Sequence, residues 1–261
     1  MNSHNISYFI CLLFFLVTNN TIRCQETSEW YKSLVEPGEI EFDSNQLSVI
    51  PNHGIYLLLG NEMMSIEGDE EISKVQIPKQ LRPESILFTQ NDVLACDDTT
   101  IVSCKSTPNT LFTFDTNQFK IMPATDDGVF VSTNVNSDYE LIYYCNPEKR
   151  TMEPFMKLNE EVILIAGDTT LCVIVTKYNI YSFRERKALP LLNYFEPIKT
   201  ATFTSHGIVF STEKCILLLE GVNRVSLIGD KGCQRLLSDN DTLYIYYDNG
   251  ALVAYNMNQI E

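Results

Sequence analysis

Histidine and tryptophan are scarce in this chain: three His and one Trp in 261 residues. Past residue 24 only His53 and His206 remain, each followed by Gly. Both therefore read as turn positions rather than as a catalytic base or a metal ligand. No GxSxG, HExxH, P-loop or EF-hand pattern occurs. No CxxC and no Cys/His cluster points to zinc. Positive charge is also short, with 19 Lys+Arg against 34 Asp+Glu and a net charge of −15. Such a surface repels nucleic acid and anionic headgroups, so nucleic acid is not an expected partner.

Long apolar runs are missing too. The run at residues 8–17, YFICLLFFLV, has ten residues. That is too short for a membrane-spanning helix but fits the core of a signal peptide. Residues 1–24 are expected to be a signal peptide, with the mature chain starting at Gln25 and exported to the cell envelope, the periplasm or the exterior. Cys24 offers an alternative, a lipid anchor on a new N-terminal cysteine. Arg23 sits where lipoprotein signals usually carry a small residue, which favours plain secretion. Removal of residues 1–24 leaves 18 Lys+Arg against 34 Asp+Glu, a net charge of −16.

Six cysteines follow the signal: Cys96, Cys104, Cys145, Cys172, Cys215 and Cys233. An even count in a secreted chain suggests disulfides. A two-residue turn at Asp98-Thr99 sets position 96 opposite 101 and 104 opposite 93, so Cys96 and Cys104 fall on opposite sheet faces. That argues against a bridge between them. Several of the six are expected to serve as small buried apolar residues.

What the chain does have is a repeat. GNEMMSIEG (60–68), DTTIVSCKS (98–106), DYELIYYCN (138–146), KYNIYSFRE (177–185), TEKCILLLE (212–220) and DNGALVAYN (248–256) each put a polar turn before a short apolar strand. Their starts lie 38, 40, 39, 35 and 36 residues apart. A period near 40 with about four strands per unit is the signature of propeller blades. A second strand precedes each copy, at 54–59, 92–97, 128–133, 170–175, 207–212 and 242–247. A polar or Gly-containing turn precedes each of these, as in NHG, DDG and SHG. Inner strands lie upstream at 46–51, 85–90, 119–124, 161–167, 199–205 and 234–239.

Outer strands are expected at 73–78, 110–115, 151–158, 187–192 and 223–229, five for six blades. EIEFD (39–43) is expected to supply the sixth, closing the ring beside the C-terminal strands and leaving no open edge. The expectation is therefore an all-β chain: a single six-bladed β-propeller of four-stranded blades over 39–261, closed by an N-terminal strand. Residues 25–38 would be a surface lead-in.

The order of inner strand, polar-Gly turn, apolar strand, turn and aromatic-ended strand resembles six-bladed propellers of the NHL, TolB-like and strictosidine-synthase-like kind. The resemblance covers residues 39–261 and speaks for architecture more than for function. It implies a working mouth where outer strands pass to the next inner strand and second strands to third. Hydrolases of this kind hold calcium with Glu, Asn and Asp from several blades. Here Asn61, Glu62, Asp97, Asp98, Asp138, Asp248 and Asn249 lie on that face, but Asn and Asp are also the ordinary formers of tight turns. No lactonase motif is matched.

Two longer loops on the same face, PKQLRPE (78–84) and NYFEPI (193–198), suit recognition. The candidate binding residues are Arg82, Asp97, Asp98, Tyr194, Phe195 and Glu196, with Tyr194 and Phe195 either forming a contact patch or packing onto the neighbouring blade. No catalytic residue and no cofactor is expected. The function read from the sequence is a non-enzymatic binding or scaffold propeller for a protein or glycan. The alternatives are a calcium-dependent hydrolase and a subunit of a larger envelope complex. Asn240-Asp241-Thr242 is a glycosylation sequon, relevant in a eukaryotic source.

Overall fold

The computed structural model describes residues 31–39, 42–50, 54–59, 62–66, 86–89, 93–96, 99–104, 109–115, 119–126, 128–134, 139–185, 187–222 and 224–259. The signal segment, Cys24 and the strand expected at 73–78 lie outside the described residues. No described helix is long and apolar enough to cross a membrane.

Six antiparallel sheets follow one another along the chain. The second blade runs Ile86–Phe88, Val93–Cys96, Thr100–Ser103 and Asn109–Thr113. The third is Phe119–Pro123, Val129–Asn134, Glu140–Asn146 and Thr151–Leu158. The fourth is Val162–Gly167, Leu171–Thr176, Asn179–Arg184 and Lys187–Asn193. The fifth is Thr200–Thr204, Gly207–Ser211, Cys215–Glu220 and Arg224–Asp230. The first blade shows three described strands, Leu47–Ile50, Gly54–Leu59 and Glu62–Ser65. Each inner strand lies against the next, and Cys233–Asp239 of the sixth blade lies against Leu47–Ile50 of the first. The molecule is thus a closed six-bladed β-propeller.

The ring closes with an N-terminal strand, but not with 39–43. Tyr31–Val35 pairs antiparallel with Leu252–Asn256 and completes the order Tyr31–Val35, Leu252–Asn256, Thr242–Tyr247, Cys233–Asp239. The physical reason lies in a bulge. Outer strands in the second to fifth blades each carry one extra residue against their partner: Leu111, Phe155, Leu191 and Ile228. A bulge lets two consecutive side chains point the same way. In the second to fourth blades the bulged residue and its successor, Leu111-Phe112, Phe155-Met156 and Leu191-Leu192, enter the same seam between blades. Tyr31–Val35 has the same bulge at Leu34, and Leu34-Val35 enters the seam between the sixth and first blades. EIEFD has no such apolar pair. Instead Phe42 stacks on Tyr246 at 4.8 Å, and the Tyr246 hydroxyl donates to the Phe42 carbonyl at 3.0 Å.

The core sits at the seams rather than inside the blades. Val129 and Val131 face the second blade, whereas Phe130 faces the fourth. Val209 and Phe210 likewise split between two seams. Both faces of a second strand are buried, so its sequence is continuously apolar rather than alternating. Turns between first and second strands need unusual backbone. Gly207 has φ of 142°, and a Cβ there would come within 2.2 Å of the Leu219 carbonyl oxygen. Gly54, after His53, has φ of 85°.

No disulfide joins the six cysteines: Cys96, Cys104, Cys145, Cys172 and Cys233 are buried thiols, and Cys215 is partly exposed. Cys96 sits opposite Ile101, and the Cys104 amide bonds to the Val93 carbonyl, so Cys96 and Cys104 do face apart. Burial pushes the Cys145 and Cys172 thiols up to about 12 and Cys233 to about 11.

Two outcomes follow. At pH 8 the raised pKa values leave almost no thiolate on Cys145, Cys172 and Cys233, so alkylation of native protein should begin at Cys215 and reach the others only on unfolding. Peptide mapping after iodoacetamide treatment checks this, and rapid labelling of Cys145 in native protein contradicts it. Val35→Asp should destabilise the fold by about 3 kcal/mol or more, because it buries a carboxylate in the closing seam. An unchanged thermal midpoint would show that Tyr31–Val35 does not close the ring.

Candidate functional site

All six inner strands run in the same direction, so the chain enters each of them at one mouth of the central channel. The channel encloses about 760 Å³ and is lined by inner strands from every blade. At the entry mouth stand Ser44, Lys120, Glu161, Lys199 and Arg235. Most of these charges are paired. Lys120 donates to Glu161 at 2.9 Å, and Lys199 meets Glu213 at 2.6 Å. The hydrogen bond from Lys120 is the main cause that holds Glu161 below the usual carboxylate range.

Arg235 differs. Its Nη1 donates to the Ser44 carbonyl at 2.7 Å, 191 residues away in sequence. No described carboxylate lies within ion-pair distance of it. Burial pushes its guanidinium pKa down, and the more distant charge of Asp43 opposes that shift.

Two further carboxylates on this face serve the seams. Glu140 is buried, takes the Ser132 hydroxyl, and accepts the Val162 amide of the next blade at 3.1 Å. Glu160 accepts from Thr176 at 2.5 Å, Asn179 at 2.7 Å and Tyr181 at 3.4 Å. Asn193 extends that network to Asn179 at 2.6 Å. Sequence reasoning missed Glu140, Glu160 and Arg235. Their partners come from other strands or other blades, so no local motif marks them.

The loop at 193–198 is the clearest feature of the face. Two backbone bonds pin it to the neighbouring turn: Tyr194 N–H to Tyr178 O at 2.8 Å and Ile198 N–H to Lys177 O at 2.7 Å. Tyr194 turns inward and packs edge-on against the buried Phe210 with centroids 5.4 Å apart. Its hydroxyl pKa is pushed up to about 12, first by burial and then by Cys215 and Glu196. Phe195 turns outward and is 71% exposed, its ring 4.8 Å from that of Tyr194. Tyr178 is also exposed. Glu196 takes an ion pair from Lys214 of the next blade. Of the paired expectation for Tyr194 and Phe195, packing holds for the first and exposure for the second.

Arg82, Asp97, Asp98, Asn61 and Asp138 lie outside the described residues, as do the side chain of Glu62 and all of His53. Asn249 spends its side-chain oxygen on the Ala251 amide at 3.0 Å, within a turn. Among the described residues no three His, Cys, Asp or Glu side chains assemble as a metal site. His206 lies at the other end of the ring, its Nε2 3.1 Å from the Asn258 side-chain oxygen.

No protein-family model and no curated protein sequence matches this chain. Solved structures do. Virginiamycin B lyase from Staphylococcus aureus aligns with a TM-score of 0.56 and 12% identity, over 80% of this chain and 79% of the lyase. A chain of the nidogen/laminin complex aligns with a TM-score of 0.53 and 12% identity, over 64% and 72% of the two chains. PorZ, a bacterial surface component of the type-IX secretion system of Porphyromonas gingivalis, aligns with a TM-score of 0.52 and 11% identity, over 78% of this chain and 29% of its own. At such identities the likeness is one of fold, shared by a lyase, a chain of the nidogen/laminin complex and a surface component of a secretion system.

Proposed function

We propose that this chain is a secreted or envelope-associated binding propeller that recognises a protein or glycan partner through the channel-entry face. One observation carries the reading: an exposed aromatic side chain on a loop pinned by two backbone hydrogen bonds. Phe195 stands out while Tyr194 anchors the loop to Phe210 and two backbone bonds hold it to residues 177–178. A rigid, exposed aromatic loses little conformational entropy on binding, which is why such residues become contact anchors. Tyr178 extends the patch, and the Glu196–Lys214 pair supplies a polar rim. Arg82, Asp97 and Asp98 are expected on the same face from their place in the repeat and are proposed to join the surface. Export rests on the apolar run at 8–17. Among the aligned structures, one is a nidogen/laminin complex and one a surface component of a secretion system, settings consistent with such a role.

The test separates anchor from scaffold. Phe195→Ala, alone or with Tyr178→Ala, should weaken binding of a co-purified partner by about 1–3 kcal/mol and leave the denaturant midpoint in place. Tyr194→Ala should instead lower stability by about 2 kcal/mol, because it empties a packed ring site. Titration of the partner and chemical melts of the three variants measure both effects. Unchanged affinity in folded Phe195→Ala protein eliminates the patch, and binding that maps to His206 places the function on the opposite face.

A further inference from the structure

We propose that the central channel is a binding site for a small carboxylate with an apolar body, anchored by Arg235. Three described cations line the channel, Lys120, Lys199 and Arg235, and of these Arg235 alone has no described ion-pair partner. Lys120 and Lys199 at the channel mouth each have theirs, Glu161 and Glu213. Among the described residues Arg235 bonds to the Ser44 carbonyl alone, which occupies one of its five N–H donors. It is partly buried, and burial depresses its pKa despite the more distant charge of Asp43. A charge partly withdrawn from water with no carboxylate in contact is costly, and the remedy is an anion placed where the remaining donors point. Arg235 lines the channel, so that anion has room.

The channel wall selects the rest of the ligand. Beyond the mouth it presents Val49, Leu87, Ile121, Ile163 and Leu237, with Thr200, Thr202 and Ser238 beside them. Each of these apolar residues is only partly buried and belongs to an inner strand. Leu237 lies two residues further into the channel than Arg235 on the same strand, so it shares that side of the sheet. A ligand with one charged end and an aliphatic body meets both features at once. A carboxylate suits the guanidinium because two oxygens match two parallel N–H donors. A doubly charged head is disfavoured, since Glu161, Glu213 and Asp43 crowd the same mouth. The site takes a different ligand from the aromatic patch at Phe195 and stands without it.

The probe is octanoate, titrated calorimetrically into the full exported chain, with 1-octanol as the uncharged analogue and inorganic phosphate as a head group alone. Saturable one-to-one binding of octanoate is expected, with octanol at least tenfold weaker and no saturable binding of phosphate. Arg235→Gln should weaken octanoate at least tenfold. Arg235 also holds Ser44 in the closing seam; if the variant does not fold, the octanoate-to-octanol ratio in the parent protein decides. The proposal is overturned by absent octanoate binding, by equal affinity for octanol, by phosphate binding as tightly as octanoate, or by undiminished affinity in folded Arg235→Gln protein.

Discussion

Everything in this molecule depends on the pairing of Tyr31–Val35 with Leu252–Asn256. A ring of blades has no stable open form of comparable burial, because each blade shares its apolar faces with two neighbours. The sixth blade draws only three strands from the C-terminal end of the chain. Without the N-terminal strand it would expose a row of unpaired backbone groups and leave the seam to the first blade without its wedge. Leu34 and Val35 fill that wedge, and Val35 is only 3% exposed. The closing contact joins residues more than 200 positions apart, so its loop entropy is met only when the other seams already hold the ends in place. Closure should therefore be late and cooperative. Arg235 to Ser44, Tyr246 to Phe42 and the Gly54 amide to Asp239 at 3.2 Å reinforce that one seam.

The same seam logic explains features that look unrelated. Second strands are apolar on both faces because both faces are interfaces. Cysteines occur there because a small, weakly polar side chain fills narrow space between sheets. Carboxylates on the entry face, Glu140 and Glu160, accept hydrogen bonds that tie strands and blades together instead of standing free in solvent. Part of the acidity is committed to holding the scaffold.

This also shows which features were legible in the sequence. The inner, second and third strands could be read because β-branched and aromatic runs recur between turn residues, and their places agree with the structure to within a few residues. The closing strand was misplaced by eight residues because EIEFD lies just before the first inner strand, whereas YKSLV lies further upstream. The relevant signal was different: a consecutive apolar pair near the strand end, as in Leu111-Phe112, Phe155-Met156 and Leu191-Leu192. That pair is the trace of a bulge, and alternation is the wrong template where a bulge is required. At the site, the loop at 193–198 was legible from its length and aromatics. The division between Tyr194 and Phe195 was not, since adjacent loop residues follow no fixed period. Arg235 was invisible, because its burial and its bond to the Ser44 carbonyl, 191 residues away, exist only in the folded ring.

The placement of charge bears on what the entry face can recognise. Long-range attraction is ruled out for anions, since the net charge of −15 repels them beyond a Debye length. Within contact range the balance changes. Lys120, Lys199 and Lys214 each sit against a carboxylate, which offsets part of the acidity near Arg235. Selectivity must then come from desolvated contacts rather than from steering. A basic macromolecule would be drawn to the acidic body at a distance and held by shape and by Phe195 at close range. A small carboxylate would arrive slowly and be held by a buried fork and an aliphatic wall. The two modes use one face of the ring, but they draw on different physics, and added salt should slow the first association while quickening the second.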